Sequence, residues 1–116
     1  MARLDEYMKK NNRVKKPDYR IPLRAVVYPH GKWWIAHCLE LDLVAEGDTP
    51  ESALQDLIDL SSIQIKTAIK NQDLRSAFSA APPEIWAMFS RAKDRPIKKK
   101  PSAPVESFEA REAVLI

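Results

Sequence analysis

The chain has 116 residues, 45% of them apolar, and its 19 basic and 16 acidic side chains give a formal charge of +3. This length predicts one domain, because domains are commonest at about 100 to 150 residues. The sequence contains neither an apolar run of about 18 residues that could cross a membrane nor an export signal. Its single cysteine, Cys38, cannot form an internal disulfide. We therefore expect a soluble cytoplasmic protein with no membrane partner.

The charged side chains are unevenly distributed. Basic side chains dominate residues 1–20 and 91–100, whereas acids outnumber bases between residues 21 and 90. Such basic segments can contact a phosphate backbone or the acidic body of the same protein. We therefore divide the chain into four parts: a basic arm (1–18), a folded domain (19–92), a basic proline-rich linker (93–107) and a terminal strand (108–116).

The first part of the domain has the alternation of β-strands. Apolar side chains recur at every second position in residues 19–28, and residues 32–39 are rich in aromatic and β-branched side chains. Pro29-His30-Gly31 between them is typical of a turn. A third strand is predicted at about Leu41 to Glu46, after a short reversal. The prediction is a three-stranded antiparallel meander.

A long helix is predicted after the meander. Thr49 can cap its first turn, Pro50 is favoured at the first helical position, and the pattern extends to about Lys70. Most apolar side chains fall on one half of this helix, which would pack on the sheet. Leu60 and Ile63 lie outside that half, so we expect another surface to cover them.

The C-terminal part adds a second helix and a strand. Pro82-Pro83 begins a short helix that carries apolar side chains from Ile85 to Phe89 on more than one side, so it requires a partner surface. Residues 108–116 alternate like a strand and are expected to pair with an edge of the sheet, next to the first strand. The predicted class is therefore α+β: a meander, a helix and a C-terminal strand.

The segment Trp34–Leu54, WIAHCLELDLVAEGDTPESAL, resembles the HicB antitoxin family, particularly its short single-domain members. The resemblance covers about residues 21–70 and implies a truncated ribonuclease-H-like α+β fold. It also implies a HicA-type toxin as partner, a small ribonuclease that cleaves messenger RNA and that HicB blocks. Three features depart from the family. Residues Leu39 to Leu43 stand where many members have a Pro-Asp-Leu-Pro-Gly-Cys reversal. Ser52 replaces the usual glutamate, so the reciprocal capping box is expected to be missing. Residues 71–116 resemble neither the helix-turn-helix nor the ribbon-helix-helix module with which full-length members bind DNA.

The sequence also contains side chains that could serve a catalytic or metal-binding site. Four acidic side chains surround the second and third strands: Glu40, Asp42, Glu46 and Asp48. They could form a two-metal nuclease site, but we interpret them as a solvated rim. His37 and Cys38 point to opposite faces of a strand and cannot bind one ion together. We expect Cys38 to be a small buried side chain and His37 to be a surface residue. No catalytic residue, cofactor or metal site is predicted.

Apolar side chains beyond the predicted core define a candidate interface. Its members are Leu60, Ile63, Trp33, Trp86 and Phe89. Trp33 and Trp34 point to opposite faces, so only one of them can face the helix-covered core. The main hypothesis is a non-catalytic, homo-oligomeric HicB-like antitoxin that binds and blocks a HicA-type toxin. The alternatives are a nucleic-acid-associated module that uses its basic arms, and an orphan HicB-like oligomer without a toxin.

Overall fold

The computed structural model describes residues 20–113. The predicted basic arm (1–18) and the end of the predicted terminal strand (114–116) lie outside the described residues. Within the described range the elements are, in chain order, β1 (Ile21–His30), β2 (Trp33–Cys38), β3 (Val44–Gly47), α1 (Pro50–Lys70), a 3₁₀ helix (Leu74–Ala77), α2 (Pro83–Arg91), β4 (Lys93–Asp94) and β5 (Val105–Glu112).

The strands form one mixed sheet in the order β3-β2-β1-β5-β4. β1 pairs antiparallel with β2, and β2 pairs antiparallel with β3. β5 lies beside β1 and runs parallel to it, whereas the short β4 pairs antiparallel with β5. The α+β class is therefore confirmed. The sheet differs from the predicted arrangement because β4 was not foreseen and β5 begins at Val105, earlier than the expected Phe108.

The reversal between β2 and β3 is longer than predicted. The Asp42 backbone lies in the left-handed region with φ of 55°. The Asp42 N–H donates to the Cys38 carbonyl at 3.0 Å, and the Cys38 N–H donates to the Leu43 carbonyl at 2.8 Å. These bonds form a turn through residues assigned to the third strand from sequence. The prediction of a strand from Leu41 was therefore wrong, since β3 starts only at Val44.

Helix α1 has the predicted bounds, Pro50–Lys70, and a complete reciprocal cap. The Ser52 N–H donates to Thr49 Oγ1 at 3.0 Å, and the Thr49 N–H donates to Ser52 Oγ at 3.3 Å. The expected loss of the capping box was wrong because a serine hydroxyl reaches the cap here. Close packing makes this possible: a Cβ atom on Gly47 would lie 2.3 Å from Ser52 Oγ and 2.5 Å from the Ala53 nitrogen.

Both faces of the sheet are covered by helices. On one face, α1 packs on a core that includes Leu23, Ala25, Val27, Ala36, Cys38, Leu54, Leu57, Ile65 and Phe108. On the opposite face, Val26 and Leu39 pack with Ile85 and Phe89 of α2. The second sheet face is thus the partner surface that the apolar second helix requires. No helix in residues 20–113 is long and apolar enough to span a membrane.

Residues 95–104 connect β4 to β5, and we call this segment the strap. Ile97 packs against the α1-side core. Farther along, Lys66 Nζ of α1 donates to the Ser102 hydroxyl at 3.1 Å. Residues 93–107 were predicted as a basic proline-rich linker; within this range, Ile97 and Ser102 attach the strap to α1 and the core beneath it.

An arginine fixes the beginning of the strap. The Arg95 guanidinium donates to Glu51 in the first turn of α1 and to Glu112 at the end of β5. The Arg95 backbone N–H also donates to the Ala110 carbonyl at 2.9 Å. The pKa of the Glu51 carboxyl lies below its usual value. The main cause is a hydrogen bond from the backbone N–H of Glu51, and the positive charge of Arg95 adds a smaller effect. Arg95 therefore joins the strap, the sheet and α1.

Candidate interaction surfaces

The five residues predicted as an interface separate into exposed and covered groups. Ile63 is 61% exposed, Trp33 is 48% exposed and Leu60 is 40% exposed. Trp86 is half-buried and Phe89 is buried, both in the core between α2 and the sheet. The structure therefore leaves Leu60 and Ile63 on α1 and Trp33 on β2 accessible for contacts.

The two aromatic side chains of α2 are covered by arginines from the sheet. The Arg24 guanidinium lies 4.7 Å from the centre of the Trp86 ring, and Trp86 Nε1 donates to the Ala81 carbonyl at 3.1 Å. The Arg111 guanidinium lies 4.2 Å from the centre of the Phe89 ring and donates to the Phe89 carbonyl at 3.0 Å. Because α2 packs on the second sheet face, Phe89 belongs to the core rather than to an interface.

Helix α1 has one open side beside the 3₁₀ helix. A groove of about 440 Å³ lies between these elements and is lined by Leu60, Ile63, Gln64, Thr67, Ala68, Asn71, Asp73, Ser76 and Ala77. Gln64 Nε2 donates to the Ala77 carbonyl at 3.3 Å and so holds the two walls together. We call the exposed side of α1 next to this groove the open flank; it carries Leu60, Ile63 and Thr67. The cover expected for Leu60 and Ile63 is not provided by residues 20–113.

The second exposed apolar surface lies at the edge of the sheet. Among the described strands, none pairs with the outer side of β3. Val44 of β3 is 46% exposed and pairs with His37 of β2, so these residues share a sheet face with Trp33. Glu46 pairs with Ile35 and lies on the same face. We call this surface, Trp33 with Val44 to Gly47, the β3 edge.

Neither the exposure of Val44 nor the groove was predicted from the sequence. Val44 was placed inside the third strand, where alternation alone does not distinguish an edge strand from a central one. The groove depends on the 3₁₀ helix Leu74–Ala77 that follows α1, and an element of four residues is too short to show a helical periodicity. The structure also answers which tryptophan faces α1. Trp34 packs against the α1-side core, and Trp33 lies on the other face.

The acidic side chains of the predicted rim have different roles. The Glu40 carboxylate accepts from the Arg24 backbone N–H at 2.8 Å and from Arg24 Nε at 2.6 Å. Asp42 Oδ1 lies 2.6 Å from Nε2 of His37, which is only 7% exposed. The prediction of a surface position for His37 was therefore wrong: the turn brings Asp42 to its ring. No group of three or more possible metal ligands occurs in residues 20–113.

Cys38 is fully buried beneath α1. Burial raises the pKa of its thiol to about 11. At neutral pH the thiol stays protonated, and the reactive thiolate is almost absent. Cys38 therefore acts as a small apolar side chain of the core.

Exposed lysines lie along the strap. Lys98, Lys99 and Lys100 are all exposed, and the strap is attached to α1 near Lys66. The strap therefore carries a run of exposed positive charge beside α1, and Lys98 lines one groove with Thr49 and Glu51. Comparison of the chain with models of known families, with curated proteins and with solved structures gave no match.

Proposed function

We propose that the protein is a HicB-like antitoxin, a non-catalytic protein that binds and blocks a HicA-type ribonuclease toxin. The observation that carries the proposal is the β3 edge, an open strand edge with an exposed tryptophan on β2 beside it. It lies within the segment Trp34–Leu54 and its immediate neighbour, the part of the chain that resembles the family.

The β3 edge has the features of a protein-binding surface. An exposed strand edge offers backbone donors and acceptors to an extended partner segment. Trp33 supplies the kind of aromatic anchor that dominates binding energy when a partner buries it. Val44 extends the apolar contact along the same sheet face. The toxin is therefore expected to cover Trp33 and Val44 and to pair with β3.

Charge gives this surface a preference for a basic partner. Asp42, Glu46 and Asp48 are exposed in and around β3, whereas Lys32 directly precedes Trp33 in the chain. A ribonuclease needs basic side chains to hold the phosphates of its substrate. An acidic surface that covers these side chains would both attract the toxin and exclude RNA. This charge complementarity supports a role in which the protein blocks the RNA-binding surface of the toxin.

Growth rescue tests the proposal. A HicA-type ribonuclease encoded in the same genome is expressed in bacteria with or without this protein, and colony formation is counted. The intact protein is expected to restore growth, and Trp33→Ala is expected to lose at least tenfold in affinity for the toxin in a binding assay. Phe78→Ala is the matched control because Phe78 is 41% exposed but lies outside the β3 edge.

A charge reversal separates the acidic contribution from the apolar one. Glu46→Lys should weaken toxin binding and reduce its dependence on salt, while Glu106→Lys, an exposed acid of β5, should change neither. Failure of the intact protein to restore growth or to bind the toxin would contradict the proposal. Equal binding by Trp33→Ala would instead move the toxin site away from the β3 edge.

The strap supports a second candidate function, binding of nucleic acid. Three consecutive exposed lysines, Lys98 to Lys100, stand on a segment that is attached to α1. If they contact phosphates, RNA or DNA binding should weaken steeply with salt, and replacing all three with glutamine should reduce the salt slope. Binding that is unchanged in this variant would remove the strap from consideration.

A further inference from the structure

The open flank of α1 is self-complementary, and we propose that it binds the open flank of a second copy of this chain. The two helices would lie antiparallel, related by a two-fold axis that passes close to Ile63. Ile63 is the most exposed large apolar side chain in the described part of the protein. In the helix Pro50–Lys70, 13 residues precede Ile63 and 7 follow it, so an antiparallel pair centred on Ile63 overlaps from Asp56 to Lys70.

The charges along α1 change sign at Ile63. Asp56 and Asp59 precede it, Lys66 and Lys70 follow it, and all four side chains are exposed. At about 1.5 Å per residue, Asp56 and Lys70 lie equally far from Ile63, about 10 Å in opposite directions. An antiparallel second copy therefore places its Lys70 opposite Asp56 and its Asp56 opposite Lys70.

The positions around the helix agree with this pairing. At about 100° per residue, Asp59 and Lys66 project on one side of Ile63, and Leu60 and Thr67 project on the other. A two-fold axis perpendicular to both helices keeps each side in register with itself. Asp59 then meets Lys66 of the second copy, and Leu60 meets Thr67 of the second copy. Apolar and charged contacts are both satisfied by a single symmetry operation.

The groove next to α1 receives an apolar side chain in this arrangement. Thr67, Asn71 and Ala77 line the groove on the side where Leu60 of the second copy arrives. The groove thus offers a concave site for Leu60, and Ile63 packs on its own symmetry mate. Contacts of this form, apolar at the centre with charged side chains at the rim, are typical of protein interfaces.

The four charged side chains have no competing ion pair among the described residues. Within residues 20–113, the ion pairs involve other side chains: Arg24, His37, Arg95 and Arg111 with their acids. Asp59 accepts from Gln55 Nε2 at 3.2 Å, and Lys66 contacts the Ser102 hydroxyl, both neutral partners. A parallel pairing would oppose aspartate to aspartate, so the charges specify the antiparallel one.

Exchange of charges provides a direct test by sedimentation equilibrium of the full chain. The first variant, Asp56→Lys with Asp59→Lys, carries only positively charged side chains from residue 56 to residue 70 on the exposed face of α1 around Ile63. The second, Lys66→Asp with Lys70→Asp, carries only negative ones. Each is expected to bind itself at least tenfold more weakly than the parent chain. An equimolar mixture should form a heterodimer, and a variant with all four exchanges should again form a homodimer.

Two controls separate pairing from unspecific effects. Glu84→Lys with Glu106→Lys alters charge by the same amount at exposed sites away from the open flank and should leave self-association unchanged. Circular dichroism should show that every variant keeps its helix content. Added salt should weaken the parent dimer and strengthen self-association of each like-charged variant.

Several outcomes would overturn the proposal. A parent chain that stays monomeric at about 100 µM has no useful affinity for itself. Charge variants that associate as the parent does, or a mixture that gives no heterodimer, would show that the association uses another surface. None of these results bears on the toxin proposal, which rests on the β3 edge and is measured by growth rescue.

Discussion

The chain covers one flank of helix α1 and leaves the other flank exposed. On one flank the strap crosses the helix, with Ile97 against the core and Ser102 at Lys66. On the other flank, Leu60 and Ile63 are exposed, although their side chains are more apolar than most side chains of the strap. The strap therefore does not cover the flank of α1 that has the larger apolar side chains.

Strand order explains why the strap lies where it does. β4 pairs with the end of β5, at Glu112 and Arg111, whereas β5 begins at Val105 near Ile21 of β1. The connection must therefore return along the whole length of β5. It passes over the flank of α1 that lies on the β5 side of the sheet, and the open flank is left facing the 3₁₀ helix. Chain connectivity determines the cover, and a second copy can supply what connectivity does not.

The largest effect in this comparison is expected from the strand that follows the strap. Phe108 of β5 is 6% exposed and packs in the core under α1. Phe108→Ala should lower the free energy of unfolding by about 3 to 5 kcal/mol, because it leaves a cavity. Phe78→Ala, at an exposed position, should change it by less than about 0.5 kcal/mol. Urea unfolding monitored by tryptophan fluorescence measures both, and similar losses would contradict the assignment of β5 to the core.

A direct comparison of the flanks uses one isoleucine from each. Ile97→Ala should reduce the free energy of unfolding by about 1 to 2 kcal/mol, since Ile97 is half-buried against the core. Ile63→Ala should change the stability of the monomer by less than about 0.5 kcal/mol. The second variant should instead weaken self-association. Reversal of this order, with Ile63 the more important for monomer stability, would mean that the open flank is covered within the chain.

Signals within short sequence segments were enough to predict α1 and the β1–β2 hairpin. The bounds of α1 follow from a cap, a proline and an apolar face, all of which lie within the segment that they describe. The β1–β2 hairpin likewise depends on Gly31, whose φ of 63° suits a turn residue without a side chain. These signals act over a few residues and depend little on the rest of the fold.

Features that depend on distant contacts were missed or only partly predicted. β4 has two residues and forms because β5 offers its edge, so no periodicity could indicate it. His37 is buried because a turn five residues ahead directs Asp42 to its ring. Phe89 was predicted as part of an interface because the arginine that covers it, Arg111, comes from a distant strand, β5. The exposure of the candidate interface therefore required the three-dimensional arrangement.

The start of α1 gives a smaller effect on the strap side. Thr49→Ala removes the acceptor for the Ser52 N–H and should cost about 0.5 to 2 kcal/mol. Ser52→Ala should cost less, because its hydroxyl accepts at the longer distance of 3.3 Å and alanine favours helices. Urea midpoints of both variants test this order. An unchanged midpoint in Thr49→Ala would show that the cap does not stabilise the helix.

The smallest effect on global stability, but a specific one on the strap, is expected from Arg95→Met. The change removes the ion pairs with Glu51 and Glu112 while keeping much of the apolar stem. Partly exposed ion pairs contribute little to global stability, so the urea midpoint at neutral pH should fall only slightly. The strap should open more often, and trypsin should cleave after Lys98 and Lys99 several-fold faster, as followed by mass spectrometry.

Urea unfolding at low pH provides the matching control for the Arg95→Met variant. The pKa of Glu51 is lower in the folded protein than its ordinary value of 4.5, so its ionised form stabilises the fold above that pH. This contribution is lost as the pH falls through 4.5 and below, because the folded state must then take up a proton at a site that favours the charge. The difference in urea midpoint between the parent and Arg95→Met should therefore shrink at pH values below 4.5. A difference that stays constant would show that it comes from the packing of the Arg95 side chain, and that the charge of Arg95 has no part in covering this flank of α1.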